Sequence, residues 1–166
     1  MSSARQIEFQ LFIKVIFIVY KVSLLSGCNH QNYVEFKVSS TSMEPEFEAN
    51  EAIRARLLCK QSEIRRGDVV VISPPQGYKG ARWLRRIAAI PGDKVVFDGD
   101  RLLINGLEVS DLDLESIGLS VRQIEMINLV LGSEDYYVTG DNLSNAIDSR
   151  HFGPIKWEHF SHKVIH

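Results

Sequence analysis

The stretch Trp83-Leu84-Arg85-Arg86-Ile87-Ala88-Ala89-Ile90-Pro91-Gly92-Asp93 reads as a strand from Trp83 to Ile90, stopped by Pro91-Gly92. Runs of the same kind flank it: Tyr33 to Val38, Ala52 to Leu58 and Asp68 to Ile72 upstream, then Lys94 to Phe97, Leu102 to Ile104 and Tyr136 to Thr139 downstream. Each is short, apolar and bounded by turn formers, as strands are. Asp98-Gly99-Asp100 joins two of these runs, and Asn105-Gly106 supplies a second turn of the kind that closes tight hairpins. Leu114 to Leu131 departs from the pattern, with an apolar spacing that suits a short helix or loop inserted between strands. The expected body is mainly β over residues 29–166, with an insertion at about 94–135.

Composition narrows the function. The chain has 166 residues, 45% apolar and 24% charged, with a net charge of -2, which suits one compact domain plus an appendage and excludes a disordered chain. Its 19 basic residues face 21 acidic ones, so no cationic surplus is available to neutralise a phosphate backbone, and no nucleic-acid partner is expected. Cys28 and Cys59 are too few for a disulfide framework, and their spacing with the five histidines forms no metal site. One Cys28–Cys59 bridge stays open, because sequence does not say how close the two Cα atoms lie.

The N-terminal segment, residues 1–28, points to a membrane. Phe9 to Ser26 approaches the roughly 20 apolar residues that cross a hydrocarbon core, interrupted by Lys14 and Lys21. The two lysines fall on one helical face with Gln10, from which their stems reach toward headgroups. A spanning helix, a helix lying in the membrane plane and a cleaved secretory peptide all fit. Leu25-Ser26-Gly27-Cys28 also resembles the lipobox of bacterial lipoproteins, in which the cysteine is lipidated.

Four segments carry chemistry: Ser40-Thr41-Ser42-Met43-Glu44-Pro45, Arg66-Gly67-Asp68-Val69-Val70-Val71, the stretch Arg85 to Asp93, and Gly140-Asp141-Asn142-Leu143-Ser144-Asn145-Ala146-Ile147-Asp148-Ser149-Arg150. In this order, from about Phe36 to about Pro154, they resemble type I signal peptidases. The resemblance implies a coiled, mostly β catalytic domain of partly open barrel type, anchored in a bacterial inner membrane and facing its outer side. It implies a serine endopeptidase without a cofactor that removes signal peptides from exported preproteins after small residues. In such enzymes a lysine kept neutral by burial takes the proton of the attacking serine.

Ser42 matches the nucleophile position, and Ser40 the position of a hydroxyl that helps stabilise the oxyanion. Phe36 and Val38 alternate before them and, with Trp83 and Leu84, are expected to line shallow substrate pockets. Asp148 and Arg150 match residues that brace the floor of the site. At the lysine position, however, stands Arg85, 43 residues after Ser42, and at the position of a lysine-orienting serine stands Ala146. A guanidinium is expected to stay protonated, with burial changing this little. Lys79 and His151 are the alternative bases nearest in sequence to the motifs.

The leading expectation is a signal-peptidase-like serine endopeptidase lacking its usual base. The alternative is an inactive relative that binds extended peptides or works beside an active paralogue. A LexA-like autoprotease shares the Ser-Met-Glu-Pro stretch, but no helix-turn-helix precedes the strands, and the Gly140 to Arg150 segment follows the signal peptidase pattern.

Overall fold

The computed structural model describes residues 33–80, 82–98, 101–111 and 128–165. The anchor expected over 1–28, Cys28 and most of the Leu114 to Leu131 segment lie outside them. Among the described residues no helix is long and apolar enough to cross a membrane.

Among the described residues, eleven strands form two antiparallel sheets. They are β1 (Tyr33–Lys37), β2 (Ala52–Leu57), β3 (Val69–Ile72), β4 (Trp83–Ala89), β5 (Lys94–Asp98), β6 (Arg101–Ile104), β7 (Leu107–Asp111), β8 (Leu129–Val130), β9 (Asp135–Thr139), β10 (Ile155–Lys156) and β11 (Phe160–Val164). The larger sheet runs β1-β2-β11-β3-β4-β9-β10 and the smaller β7-β6-β5-β8. A short helix, α1 (Ser149–Phe152), follows β9.

Side-chain alternation sets the faces. In β2, Ile53 and Ala55 turn inward, while Ala52 and Arg54 are exposed and Arg56 is half-buried. In β4 the same period of two puts Arg85 on the buried face together with Ile87 and Ala89. β3 is buried at all four positions, as a central strand covered on both faces must be. The register opposes Arg85 to Val70 and Arg86 to Val69, with β9 on the other side opposing Ile87 to Val138. One core cluster under this sheet unites Val70, Ile72, Ile87, Tyr136 and Val138; a second, containing Met43, Phe47 and Ile53, anchors the turn after β1.

The two strand pairings expected from the sequence form: β5 pairs with β6, with Asp98 opposite Arg101, and β6 with β7 through Asn105 (φ 53°) and Gly106 (φ 80°). Both turn residues adopt the left-handed conformation that a two-residue hairpin turn needs. Leu129–Val130, read from sequence as the end of a helix or loop, is a strand: Val130 pairs with Lys94, and Leu131 N–H donates to the Asp93 carbonyl at 2.8 Å. Pairing with β5 overrides the local spacing there. β10, β11 and α1 were not legible as elements in the sequence.

Asp93 ties the two sheets' turns together. Its buried carboxylate accepts from Arg66 Nε at 2.6 Å, the Ile90 N–H at 2.9 Å and Asn105 Nδ2 at 2.9 Å. Burial pushes this carboxyl up, but the hydrogen bonds from Arg66, Ile90 and Asn105 outweigh it and hold it at about 2, below the ordinary 3.8. A carboxylate depressed in the folded state adds stability above its unfolded value and loses it as pH falls through the folded one. The unfolding free energy is therefore expected to drop between pH 3.8 and about 2, and Asp93→Asn to flatten that part of the profile in urea titrations.

Candidate functional site

β1 delivers the chain to the turn that holds Ser40 and Ser42. Met43 and Phe47, 0% and 5% exposed, pin this turn from below, and Phe47 N–H donates to the Met43 carbonyl at 2.9 Å. A second loop clasps it from the side: Asn142 N–H donates to the Ser42 carbonyl at 3.1 Å and Asn142 Nδ2 to the Thr41 carbonyl at 3.0 Å. Asn145 Nδ2 donates to Thr41 Oγ1. The approach requires Gly140, because a Cβ there would fall 2.5 Å from the Ser42 carbonyl oxygen and 2.3 Å from Ala146 Cβ. Gly140-Asp141-Asn142 brings the chain from β9 back beside the serine turn, and the hydrogen-bonded clasp by Asn142 and Asn145 carried no sequence signal.

Ser42 is 5% exposed, and its Oγ lies 3.1 Å from Ser40 Oγ. Arg85 Nη1 donates to the same Ser42 Oγ at 2.9 Å. Arg85 is fixed in this pose: Nη1 also donates to the Leu84 carbonyl at 2.6 Å, and Nε and Nη2 donate to the Ile147 carbonyl at 3.1 and 2.7 Å. Its guanidinium carbon lies 4.9 Å from the centre of the Trp83 ring.

Burial lowers the Arg85 guanidinium to about 10, with Asp148 opposing the shift and Arg150 adding to it. The group is buried, and among the described residues no carboxylate forms an ion pair with it. At pH 7 it remains a cation, a proton donor toward Ser42 rather than an acceptor.

Asp148 and Arg150 lie beneath, each 0% exposed. Arg150 Nε and Nη2 each donate to Asp148 at 2.7 Å, the bidentate geometry a guanidinium favours. Asp148 also accepts from the Gly140 N–H at 2.9 Å and the Arg150 N–H at 3.1 Å, capping α1. Burial pushes the Asp148 carboxyl up, and bonding to His151, Arg150 and Gly140 brings it below the usual range. Ala146 is buried, and its carbonyl accepts from Arg150 Nη2 at 3.3 Å.

Phe36, Val38, Trp83 and Leu84 line one cleft of about 330 Å³ together with Ser40, Ser42 and Arg85, so the structure brings the sequence-derived set together. It adds Lys37 and Arg82, which the sequence reading missed. Neither alternative base lies in this lining. Lys79 is exposed, with its carbonyl accepting from Trp83 Nε1 at 3.2 Å; His151 Nδ1 accepts from the Asp148 N–H at 3.3 Å. Among the described residues no group of histidines, cysteines or carboxylates is arranged to hold a metal ion.

Two antiparallel sheets that present the Ser42 hydroxyl, with Ser40 and Arg85, at a cleft lined by Phe36, Val38, Trp83 and Leu84 define a mainly β protein with a hydroxyl-bearing groove. The family model described as "Signal peptidase, peptidase S26" matches residues 9–165. A protein named signal peptidase I V from Bacillus subtilis (strain 168) is 30% identical over 149 residues, covering 83% of this chain and 87% of that one. A signal peptidase I from Bacillus amyloliquefaciens is 30% identical over 125 residues, covering 71% of this chain and 65% of that one. A crystal structure of a signal peptidase I from Enterococcus faecalis V583 aligns with a TM-score of 0.41 at 25% identity, over 58% of this chain and 92% of that chain. The chain belongs to the signal peptidase S26 family.

Proposed function

We propose that this chain engages signal peptides of exported preproteins at a bacterial membrane through the Ser42 cleft, and that at neutral pH it holds them rather than cuts them. Family membership supports the substrate class. One observation carries the second half: Arg85 Nη1 donates to Ser42 Oγ at 2.9 Å. A serine attacks a carbonyl only when a neighbouring group removes its proton, and the group at hydrogen-bond distance here already carries one to spare. Ser40 takes the oxyanion-side position, Asp148 and Arg150 brace the floor, and Phe36, Val38, Trp83 and Leu84 receive the extended segment.

A second reading, a working endopeptidase with another base, is favoured by the 3.1 Å Ser40–Ser42 contact, which leaves the attack and oxyanion groups side by side. Purified full-length chain in detergent, incubated with a preprotein whose signal sequence ends in a small-x-small motif, separates the two. The expected result is signal-peptide binding in a pull-down with no cleavage from pH 6 to pH 9. Cleavage that disappears in Ser42→Ala would overturn the holding reading and establish the peptidase.

A further inference from the structure

The Ser42 cleft has an unbalanced charge. Among the described residues its lining includes Lys37, Arg82 and Arg85 and no aspartate or glutamate. Arg85, 5% exposed, directs its hydrogen bonds to neutral acceptors: the Ile147 carbonyl, the Leu84 carbonyl and Ser42 Oγ. Asp148, whose charge reaches Arg85, is held by the bidentate Arg150 pair, so Arg85, Asp148 and Arg150 together keep one positive charge. Arg82 extends the cationic lining, with its guanidinium 5.6 Å from the centre of the Phe36 ring and its Nη1 3.4 Å from Ser161 Oγ and His162 Nδ1. Among the described residues none of the three cations has an ion-pair partner in this cleft.

A buried cation without a counter-ion is costly, and an incoming anion offsets that cost. A guanidinium that donates to the Ser42 hydroxyl, with Ser40 Oγ 3.1 Å from that hydroxyl and apolar Val38 and Leu84 in the same lining, suits a carboxylate at the end of an extended apolar peptide. We propose that the Ser42 cleft is a carboxylate receptor: it takes an extended peptide that presents a carboxylate to Arg85, Ser42 and Ser40, supplied by the free C-terminus left when a signal peptide has been cut after a small residue. The chain would then hold cleavage products. This rests on the peptide-binding reading above.

The test uses the full chain in detergent and three N-acetylated peptides: one ending in alanine-leucine-alanine as the free acid, the same sequence as the C-terminal amide, and a C-terminal amide in which aspartate replaces the last alanine. Calorimetry is expected to show the acid binding about tenfold more tightly than the plain amide, the scale of a hydrogen bond to a charged group. Added salt and Arg85→Gln are each expected to erase most of that preference. Arg82→Gln, at an exposed position, tests the charge without disturbing the buried set and is expected to reduce the preference about threefold. Should the aspartyl amide match the acid, the carboxylate chemistry stands and the C-terminal source falls. Equal affinity for acid and plain amide overturns the inference and leaves peptide binding intact, whereas no binding of any peptide overturns both.

Discussion

Arg85→Lys combined with Ala146→Ser is expected to give this chain a signal-peptide-cleaving activity about a hundredfold or more above that of the native protein, the contribution a positioned general base makes. The setting for a neutral amine is already present. Position 85 is held on the buried face of β4 beneath Trp83, and the burial that lowers the Arg85 guanidinium to about 10 would lower a lysine ammonium in the same direction. Arg150 reinforces that shift and Asp148 opposes it. A serine hydroxyl at 146 would then orient the amine, from a position already packed against Gly140. Cleavage should rise with pH as the lysine loses its proton and then level off, and Ser42→Ala in the same background should abolish it. Single-turnover cleavage of a preprotein across the pH range checks this. If the doubly substituted protein folds and binds the preprotein without cutting it, the cleft does not seat the scissile bond against Ser42.

The second large effect concerns stability. Asp148→Ala is expected to cost about 3–5 kcal/mol of unfolding free energy, as removing one partner of a buried pair does. Arg150 would be left fully buried and unpaired next to a second buried cation, Arg85, while the Gly140 N–H and the α1 cap would lose their acceptor. The loop that clasps Ser42 would loosen with them. Lys156→Ala, which breaks an exposed ion pair to Asp135, is the comparison and should leave the unfolding free energy nearly unchanged. Urea denaturation of both variants against the native chain reads the difference. A loss below about 1 kcal/mol for Asp148→Ala would mean that the pair contributes no more than a surface one.

Much of the framework is legible before any coordinates. The runs at Trp83 to Ile90 and Lys94 to Phe97 announce themselves because strand signals are local: apolar side chains in short segments between Gly, Pro and Asn. The Asn105-Gly106 hairpin is equally local, since both residues tolerate the left-handed backbone the turn requires. β11 is the contrary case. Phe160-Ser161-His162-Lys163-Val164 is half polar, yet it sits between β2 and β3 with Phe160, His162 and Val164 inward, because two neighbours complete its hydrogen bonding. β8 is a strand of two residues that exists only through β5.

The candidate site divides along the same line. By itself the sequence determined what chemistry is available: a serine at 42, a guanidinium at 85 and a methyl group at 146 are intrinsic to the side chains, and a guanidinium stays charged at neutral pH in any surroundings. The tertiary structure alone decided what these groups meet. The β3–β4 register, the clasp of Asn142 on Thr41 across 101 positions and the capture of Asp148 by Arg150 leave Arg85 buried against Ser42 with no counter-ion among the described residues. Charge balance is a property of distances, and distances between residues far apart in the chain are set by packing and strand pairing rather than by local preference.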